Sequence, residues 1–328
     1  MFSSSTRQRI GWAETRYNQW RDLVKAFLAQ ENHNFTVFNP PTLITSSASP
    51  TSSSCPAIRG TVQTSTGSSS LPAFGPGTHP LIILDASFNP PTLAHLALLH
   101  KACQQTRQPY ASLCLLSLNN ADKGQLSVEE VARRLTLLEA ALASSSSSSS
   151  PSPVQTIDPP PLLPYTGPIG IAIIHHARFL DKAVGLSQDP IPYFLPLGVP
   201  VSDVRPLRPL FILGADTVHR VLDPKYYDDP EVSLKRLASL SDIIIAPRPP
   251  VEVSQSDIQK RGYGLSIRPL DTSSIPPSVL SLSSTRVRAA TSQDPSSLPE
   301  MVPSLTVPLI LHPDHWTSGT LDNDHVIH

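Results

Sequence analysis

Four apolar residues, Leu81-Ile82-Ile83-Leu84, run into Asp85 and then into Ala86-Ser87-Phe88-Asn89-Pro90-Pro91. Thr92 and a helix-compatible segment, Leu93 to Gln105, follow at once. A short continuous apolar run is consistent with a strand buried on both faces. Thr92 is a suitable N-cap for the helix. Buried strand, tight turn and helix N-terminus together make the local geometry that binds phosphate. The first N–H groups of a helix lack intrahelical partners, and the helix dipole adds partial positive charge beside them. His95 lies three residues after Thr92, about one helical turn on, so the spacing lets both side chains face one anion.

From Leu81 onward, strand and helix patterns alternate, which predicts a parallel sheet with crossover helices. The strands expected after the first are Ser112 to Leu118, Gly170 to Ile174, Leu210 to Leu213, Asp242 to Ala246 and Leu265 to Leu270. Helices are expected over Ser127 to Ala143, Ala177 to Val184 and from Thr285 to Ala290. Val307 to Leu311 reads as a short helix or an edge strand. Before all of these, residues 7 to 30 place Ile10, Tyr17, Trp20, Leu23, Val24, Phe27 and Leu28 at helical spacing, which predicts a helix packed on the domain. An α/β sheet of this kind takes its ligand at the carboxyl ends of the strands, at a topological switch point.

The chain has 328 residues, and its 36 prolines and low hydrophobic content (39%) trace to particular segments. Residues 44–79 are rich in Ser, Thr, Pro and Gly and read as a flexible linker; 144–164 read as a disordered Ser/Pro insertion. Residues 191–209 are punctuated by Pro and read as a loop. The remainder divides into an N-terminal helical extension (1–43), one domain (80–316) and a tail (317–328). Phe38-Asn39-Pro40-Pro41-Thr42-Leu43 repeats residues 88–93, but Thr45 stands where His95 would be, and no continuous apolar run leads in. It is read as a coincidence or a local turn.

Formal net charge is −1, which argues against a general nucleic-acid binder. Cys55, Cys103 and Cys114 are scattered and odd in number, the pattern of thiols in a reducing compartment rather than a metal or disulfide framework. No apolar run approaches the ~20 residues of a membrane span, and the N-terminus lacks an apolar signal core. A cytoplasmic or nuclear protein without a membrane partner is therefore expected. The sequence does not address oligomeric state.

The run Ala86 to His95 resembles the (G/A)-S-F-(N/D)-P-x-(T/H)-x-x-H signature of the nucleotidyltransferase superfamily. Ser283-Ser284-Thr285-Arg286-Val287-Arg288 resembles that superfamily's second signature, S-S-T-x-x-R. Leu213-Gly214-Ala215-Asp216-Thr217, with Asp223-Pro224-Lys225-Tyr226-Tyr227 after it, narrows the resemblance to nicotinamide mononucleotide adenylyltransferases, especially the divergent fungal type. It covers roughly residues 80 to 315, less the insertions. The implied fold is α/β and Rossmann-like: a mostly parallel sheet with helices on both faces.

The implied activity moves AMP from ATP to nicotinamide mononucleotide, or to its nicotinic acid form, and releases pyrophosphate. Such a reaction joins two anions, so it needs donors and cations rather than a protein nucleophile. By resemblance His95 contacts the nucleotide phosphates, Thr92 donates its hydroxyl to phosphate, and Arg288 and Lys123 approach the phosphates. Ser87 and Phe88 place backbone N–H groups at the junction of the two substrates. Ser283, Ser284 and Thr285 offer hydroxyls and N–H groups, while Arg286 faces solvent. Gly214 permits close backbone approach, Asp216 meets a ribose hydroxyl, and Arg248 is a candidate contact for the acceptor phosphate. One of Arg133 and Arg134 approaches the site. Mg²⁺ arrives with ATP and is held mostly by phosphate and water, and no protein metal site is expected. Two departures stand out: Ala86 replaces the commoner glycine, and none of Trp12, Trp20 and Trp316 is placed to stack on nicotinamide. Rival expectations are another acceptor, such as phosphopantetheine or an alcohol phosphate, and a nucleotide-binding regulatory protein that transfers poorly.

Overall fold

The computed structural model describes residues 4–30, 35–38, 79–106, 111–120, 124–146, 169–188, 207–247 and 253–315. Nine strands occur among them: β1 (Phe35–Phe38), β2 (His79–Asp85), β3 (Ala111–Ser117), β4 (Asn119–Asn120), β5 (Gly124–Gln125), β6 (Ile169–Ile174), β7 (Leu207–Gly214), β8 (Asp242–Ala246) and β9 (Ile267–Pro269). The α-helices among them are α1 (Ser4–Leu28), α2 (Leu93–Gln105), α3 (Val128–Ser146), α4 (Phe179–Gln188), α5 (Ala215–Val221), α6 (Pro230–Leu240), α7 (Gln255–Arg261), α8 (Pro277–Leu280), α9 (Ser284–Gln293) and α10 (Val307–Leu311).

Seven strands form one sheet in the order β1-β6-β3-β2-β7-β8-β9. Every neighbouring pair is parallel except β1 against β6. The chain starts this parallel set at its centre, in β2, and builds outward through β3 to β6. It then returns to the other side of β2 and builds outward again through β7, β8 and β9. The direction of winding reverses between β2 and β7, so a crevice opens beyond their carboxyl ends.

The apolar runs read as continuous because the sheet is covered on both faces. Ile82, Leu84, Cys114, Leu116, Leu210 and Ile212 point to one face, where residues of α1, α2, α3 and α10 complete the core. Their neighbours Leu81, Ile83, Leu113, Leu115, Phe211 and Leu213 point to the other, where α4 to α7 cover them. Cys103 and Cys114 are buried, and burial pushes the Cys114 thiol well up; Cys55 lies outside the described residues. Among the described residues no helix is long and apolar enough to cross a membrane.

Several boundaries differ from the sequence expectations for physical reasons. Helix α3 runs on to Ser146, past the expected start of the insertion. Ser144 donates to the Ala140 carbonyl and accepts from the Leu305 amide, so the serine tract begins as helix. Strand β7 starts at Leu207, inside the segment read as a loop, because it pairs with β2 from His79 onward. Of Leu265 to Leu270 only Ile267–Pro269 is strand, and Val307–Leu311 is a helix. The repeat at residues 38–43 enters the described structure only through Phe38, at the end of β1.

Helix α1 is part of the main core. Ala13, Tyr17, Trp20, Val24 and Phe27 are buried against the sheet-facing helices, and α1 packs on α3. One carboxylate joins the two helices. Glu139 Oε2 accepts from Arg16 Nε and from Trp20 Nε1, each at 2.9 Å. Burial raises the Glu139 pKa above the usual glutamate range, against the lowering effect of Arg16 and Trp20. The folded protein therefore holds this proton more tightly than the unfolded chain, and its contribution to stability declines as pH rises from the unfolded through the folded pKa. Chemical denaturation at several pH values from 4.5 upward should show Glu139→Gln lacking the part of the slope that wild type owes to this group. Equal slopes in the two proteins would remove Glu139 from the pH dependence.

Candidate active site

The turn after β2 is held from inside the core. Phe88 has φ 47°, in the left-handed region, and its side chain is fully buried. That backbone costs a non-glycine residue about 1–2 kcal/mol, and burying the ring offsets it with roughly 2–3 kcal/mol. Phe88 is thus an anchor, with its ring 5.4 Å from that of His95. Its neighbours Ser87 and Asn89 face outward into the cleft described below.

His95 is fixed at the start of α2. The Thr92 backbone N–H donates to His95 Nδ1 at 3.0 Å, and Thr92 Oγ1 is 2.8 Å from the same nitrogen. A nitrogen that accepts an N–H carries no proton, so the neutral ring has its proton on Nε2. The arrangement sets a tautomer that presents Nε2–H as a donor. Two sequence expectations change here. Thr92 is fully buried and turned toward His95 rather than toward an anion, which makes it a positioning residue. The Leu93 N–H, one of the N–H groups expected to meet phosphate, donates instead to the Met301 carbonyl at 3.0 Å.

The second signature closes on the first. Ser283 caps α9 by accepting from the Arg286 amide at 3.1 Å. Ser284 Oγ then donates to the Pro90 carbonyl at 2.8 Å, and Arg288 Nη1 donates to the Asn89 carbonyl at 2.5 Å. Arg288 Nη2 also reaches Thr285 Oγ1 at 3.2 Å. Segments almost 200 residues apart in sequence are therefore joined by direct side-chain contacts. Arg134 of α3 also holds this turn, donating to the Ser87 carbonyl at 3.1 Å and pairing with Glu130.

Beside this turn, at the β2–β7 switch point, lies a cleft of about 580 Å³ whose lining includes Ser87, Asn89, Arg134 and Arg288 but not Thr92, His95, Ser283, Ser284 or Thr285. Five basic side chains line it, Arg134, Arg178, Lys182, Arg220 and Arg288, against two carboxylates, Asp85 and Glu130. A chain of net charge −1 thus concentrates positive charge in one concavity, which favours an anionic ligand. Both carboxylates are already paired: Glu130 with Arg134, and Asp85 with Lys182 at 2.6 Å. Tyr226 and Tyr227 form part of the wall. Tyr227 donates its hydroxyl to the Val221 carbonyl at 2.7 Å, and burial pushes its phenol up to about 12.

The other predicted residues fall at varied distances from this cleft. Gly214 caps α5, and a Cβ there would meet Asp216 Oδ1 at 2.7 Å, so the glycine makes room for that carboxylate. Asp216 is exposed in the first turn of α5, just outside the cleft lining, where Thr217 takes the adjacent place. Lys123 and Arg248 lie outside the described residues. Arg286 is exposed and reaches Ser281 Oγ at 3.3 Å. The His175 carbonyl accepts from Asn119, and its ring stacks on Phe27 at 4.6 Å. No cluster of three metal-ligating side chains occurs among the described residues.

Sequence reasoning missed Arg178, Arg220 and the pair Asp85–Lys182. The pair had a signal: a charged residue ends a buried strand, and a lysine lies among the buried positions of an amphipathic helix, beside Ala183 and one turn from Phe179.

A doubly wound, mostly parallel sheet whose switch point is spanned by two interlocked segments, 86–95 and 283–288, defines a Rossmann-like α/β fold. No family model matches the chain. A Schizosaccharomyces pombe protein named "Putative nicotinamide mononucleotide adenylyltransferase" is 28% identical over 150 residues, or 46% of this chain. The match spans 45% of that relative's length. Among solved structures, nicotinic acid mononucleotide adenylyltransferase of Plasmodium falciparum is similar in its complex with NaAD (14% identity, TM-score 0.42) and in its complex with APC (14%, 0.43). Each alignment covers 72% of this chain and 97% of the other. The sequence likeness to the Schizosaccharomyces pombe protein thus covers less than half of either chain.

Proposed function

We propose that this protein is an adenylyltransferase that moves AMP from Mg-ATP to a pyridine mononucleotide, making the dinucleotide and pyrophosphate. The observation that carries the proposal is the clamp of Ser284 and Arg288 on the carbonyls of Pro90 and Asn89, which joins both signatures at one cationic cleft. An oxygen of the acceptor phosphate attacks the α-phosphorus of ATP. The new P–O bond forms as the bond to the β-phosphate oxygen breaks, and pyrophosphate leaves with that electron pair. The protein positions the anions and stabilises charge on the equatorial and leaving oxygens.

In this proposal His95 Nε2–H donates to the phosphate that undergoes transfer. Arg288 exchanges its carbonyl partner for the β- and γ-phosphates, and Arg134 supports the turn between the substrates. Asp216 accepts from the ribose of ATP. The Tyr226 ring offers the aromatic face for the pyridine that no tryptophan supplies. Lys123 and Arg248 retain their proposed phosphate contacts. The cleft offers cations and paired carboxylates rather than a carboxylate cage, a donor set that fits Mg²⁺ brought in on ATP; when bound, the ion neutralises triphosphate charge.

The test is product formation from Mg-ATP with nicotinamide mononucleotide, nicotinic acid mononucleotide, phosphopantetheine and glycerol phosphate. Dinucleotide and pyrophosphate should appear in equal amounts with a pyridine acceptor. Product only with the last two would overturn the acceptor assignment. No transfer to any acceptor, with ATP bound, would overturn the enzyme assignment.

A further inference from the structure

We propose that Asp85, held in place by Lys182, reads the ribose hydroxyls of the acceptor nucleotide. The inference rests on the pyridine mononucleotide acceptor proposed above and assigns the contact that selects a ribonucleotide. The pair is unusual in its setting. Lys182 Nζ lies 2.6 Å from Asp85 Oδ2, and the two side chains are only 4% and 12% exposed. The lysine also sits 4.2 Å over the Phe179 ring, so its position is fixed from two sides.

A buried ion pair is weak as a device for stability, because desolvating both charges costs about as much as their attraction returns. A carboxylate in a cleft for phosphates is also unfavourable unless its charge is balanced and its free oxygen faces something other than phosphate. Lys182 supplies the balance through Oδ2 alone. Asp85 Oδ1 makes no hydrogen bond among the described residues, and Asp85 lines the cleft.

The chemistry that suits such an oxygen is a neutral hydroxyl donor. An ionised carboxylate only accepts, and a carboxylate on ribose hydroxyls is the usual solution at the switch point of dinucleotide-binding sheets. The position fits a second nucleotide. Asp216, on the helix that follows β7, is the carboxylate proposed for the ribose of ATP. Asp85 ends the adjacent strand β2, whose Leu84 pairs with Ile212. Asp85 lines the cleft together with Leu116 and Ser117 of β3, the strand that flanks β2 on the side away from β7. Adjacent strand ends thus offer one carboxylate for each ribose of a dinucleotide.

The experiment compares nicotinamide mononucleotide with its 2′-deoxy analogue at saturating Mg-ATP, in wild type and in Asp85→Asn. Calorimetric titrations with ribose 5-phosphate and 2-deoxyribose 5-phosphate accompany it. A hydrogen bond to a charged group corresponds to a preference of about 10- to 100-fold. Wild type should show that preference for the ribosyl ligand in both assays, expressed mainly in KM. Asp85→Asn should reduce it to within about threefold while the KM for ATP changes by less than about twofold. Asp85→Leu/Lys182→Met, which replaces the pair with apolar groups of similar size, should show the same loss and guards against misfolding of the single variant. A preference that survives in both variants overturns the inference while the transferase proposal stands. An Asp85-dependent preference for ribose 5-phosphate without transfer to any pyridine nucleotide keeps the ribose site and overturns the acceptor. No preference in wild type in either assay overturns the inference outright.

Discussion

His95→Ala is expected to slow adenylyl transfer by about 10²- to 10³-fold, the usual cost of removing one preorganised donor from a developing charge. The expectation rests on how the ring is held. Thr92 gives its backbone N–H to Nδ1, so Nε2 keeps the proton and the donor does not reorient during reaction. ATP binding should weaken by less than about tenfold, because the cleft retains Arg288, Arg134 and Lys182. Single-turnover rates with pre-bound Mg-ATP separate the two effects. The variant also leaves the Thr92 N–H without its acceptor, at about 1 kcal/mol of local stability, so a thermal melt should accompany the kinetics. Unchanged single-turnover rates would remove His95 from the mechanism.

Trp20→Ala is expected to cost about 3–5 kcal/mol of folding stability, the range for emptying a buried aromatic site. Trp20 is only 1% exposed, lies in the main core and donates to the carboxylate that links α1 to α3. Domains of this kind are stable by roughly 5–15 kcal/mol, so the loss is a large share of the total. Trp20→Phe keeps most of the volume and removes the N–H, and should cost about 1–3 kcal/mol. Urea denaturation of the three proteins would measure both. A loss under about 1 kcal/mol in Trp20→Ala would show that α1 adds little to the core.

The parts of this fold legible in the sequence share a physical basis. Leu81 to Leu84, Ser112 to Leu118 and Asp242 to Ala246 are buried on both faces, so their composition alone marks them as strands of a covered parallel sheet. The turn at 86–92 announced itself through Asn89-Pro90-Pro91 and the cap at Thr92. Strand β1 was not legible: Phe35-Thr36-Val37-Phe38 is short, lies at the edge, and owes its conformation to pairing with β6. Helices α5, α6 and α7 are short, and their assignment depends on packing against the sheet.

At the site, the two signatures could be read from residue type and spacing, whereas their contact could not, because it is made by Ser284 and Arg288 on main-chain carbonyls. Main-chain acceptors leave no mark on residue identity. Thr92 read as a phosphate ligand because residue type and spacing do not reveal that it is buried with its hydroxyl against His95 Nδ1. Arg178, Arg220 and Lys182 belong to helices or helix starts distant in sequence from either signature, and only the closure of the sheet brings them to one cleft.

The topology also separates where this chain can change in length from where it cannot. The long Ser-, Thr- and Pro-rich stretches 39–78 and 147–168, and the Pro-punctuated 189–206, join the described structure at the end of β1 and the starts of β2, β6 and β7. Because β1 runs antiparallel to its neighbour, all of these strand ends lie on the amino edge of the sheet, opposite the cleft. Stretches joined at that edge can change in length without altering the carboxyl edge that carries the cleft. Alignment between relatives should therefore fragment at these points, leaving the short blocks around residues 81–95, 213–217 and 283–288 as islands of kinship.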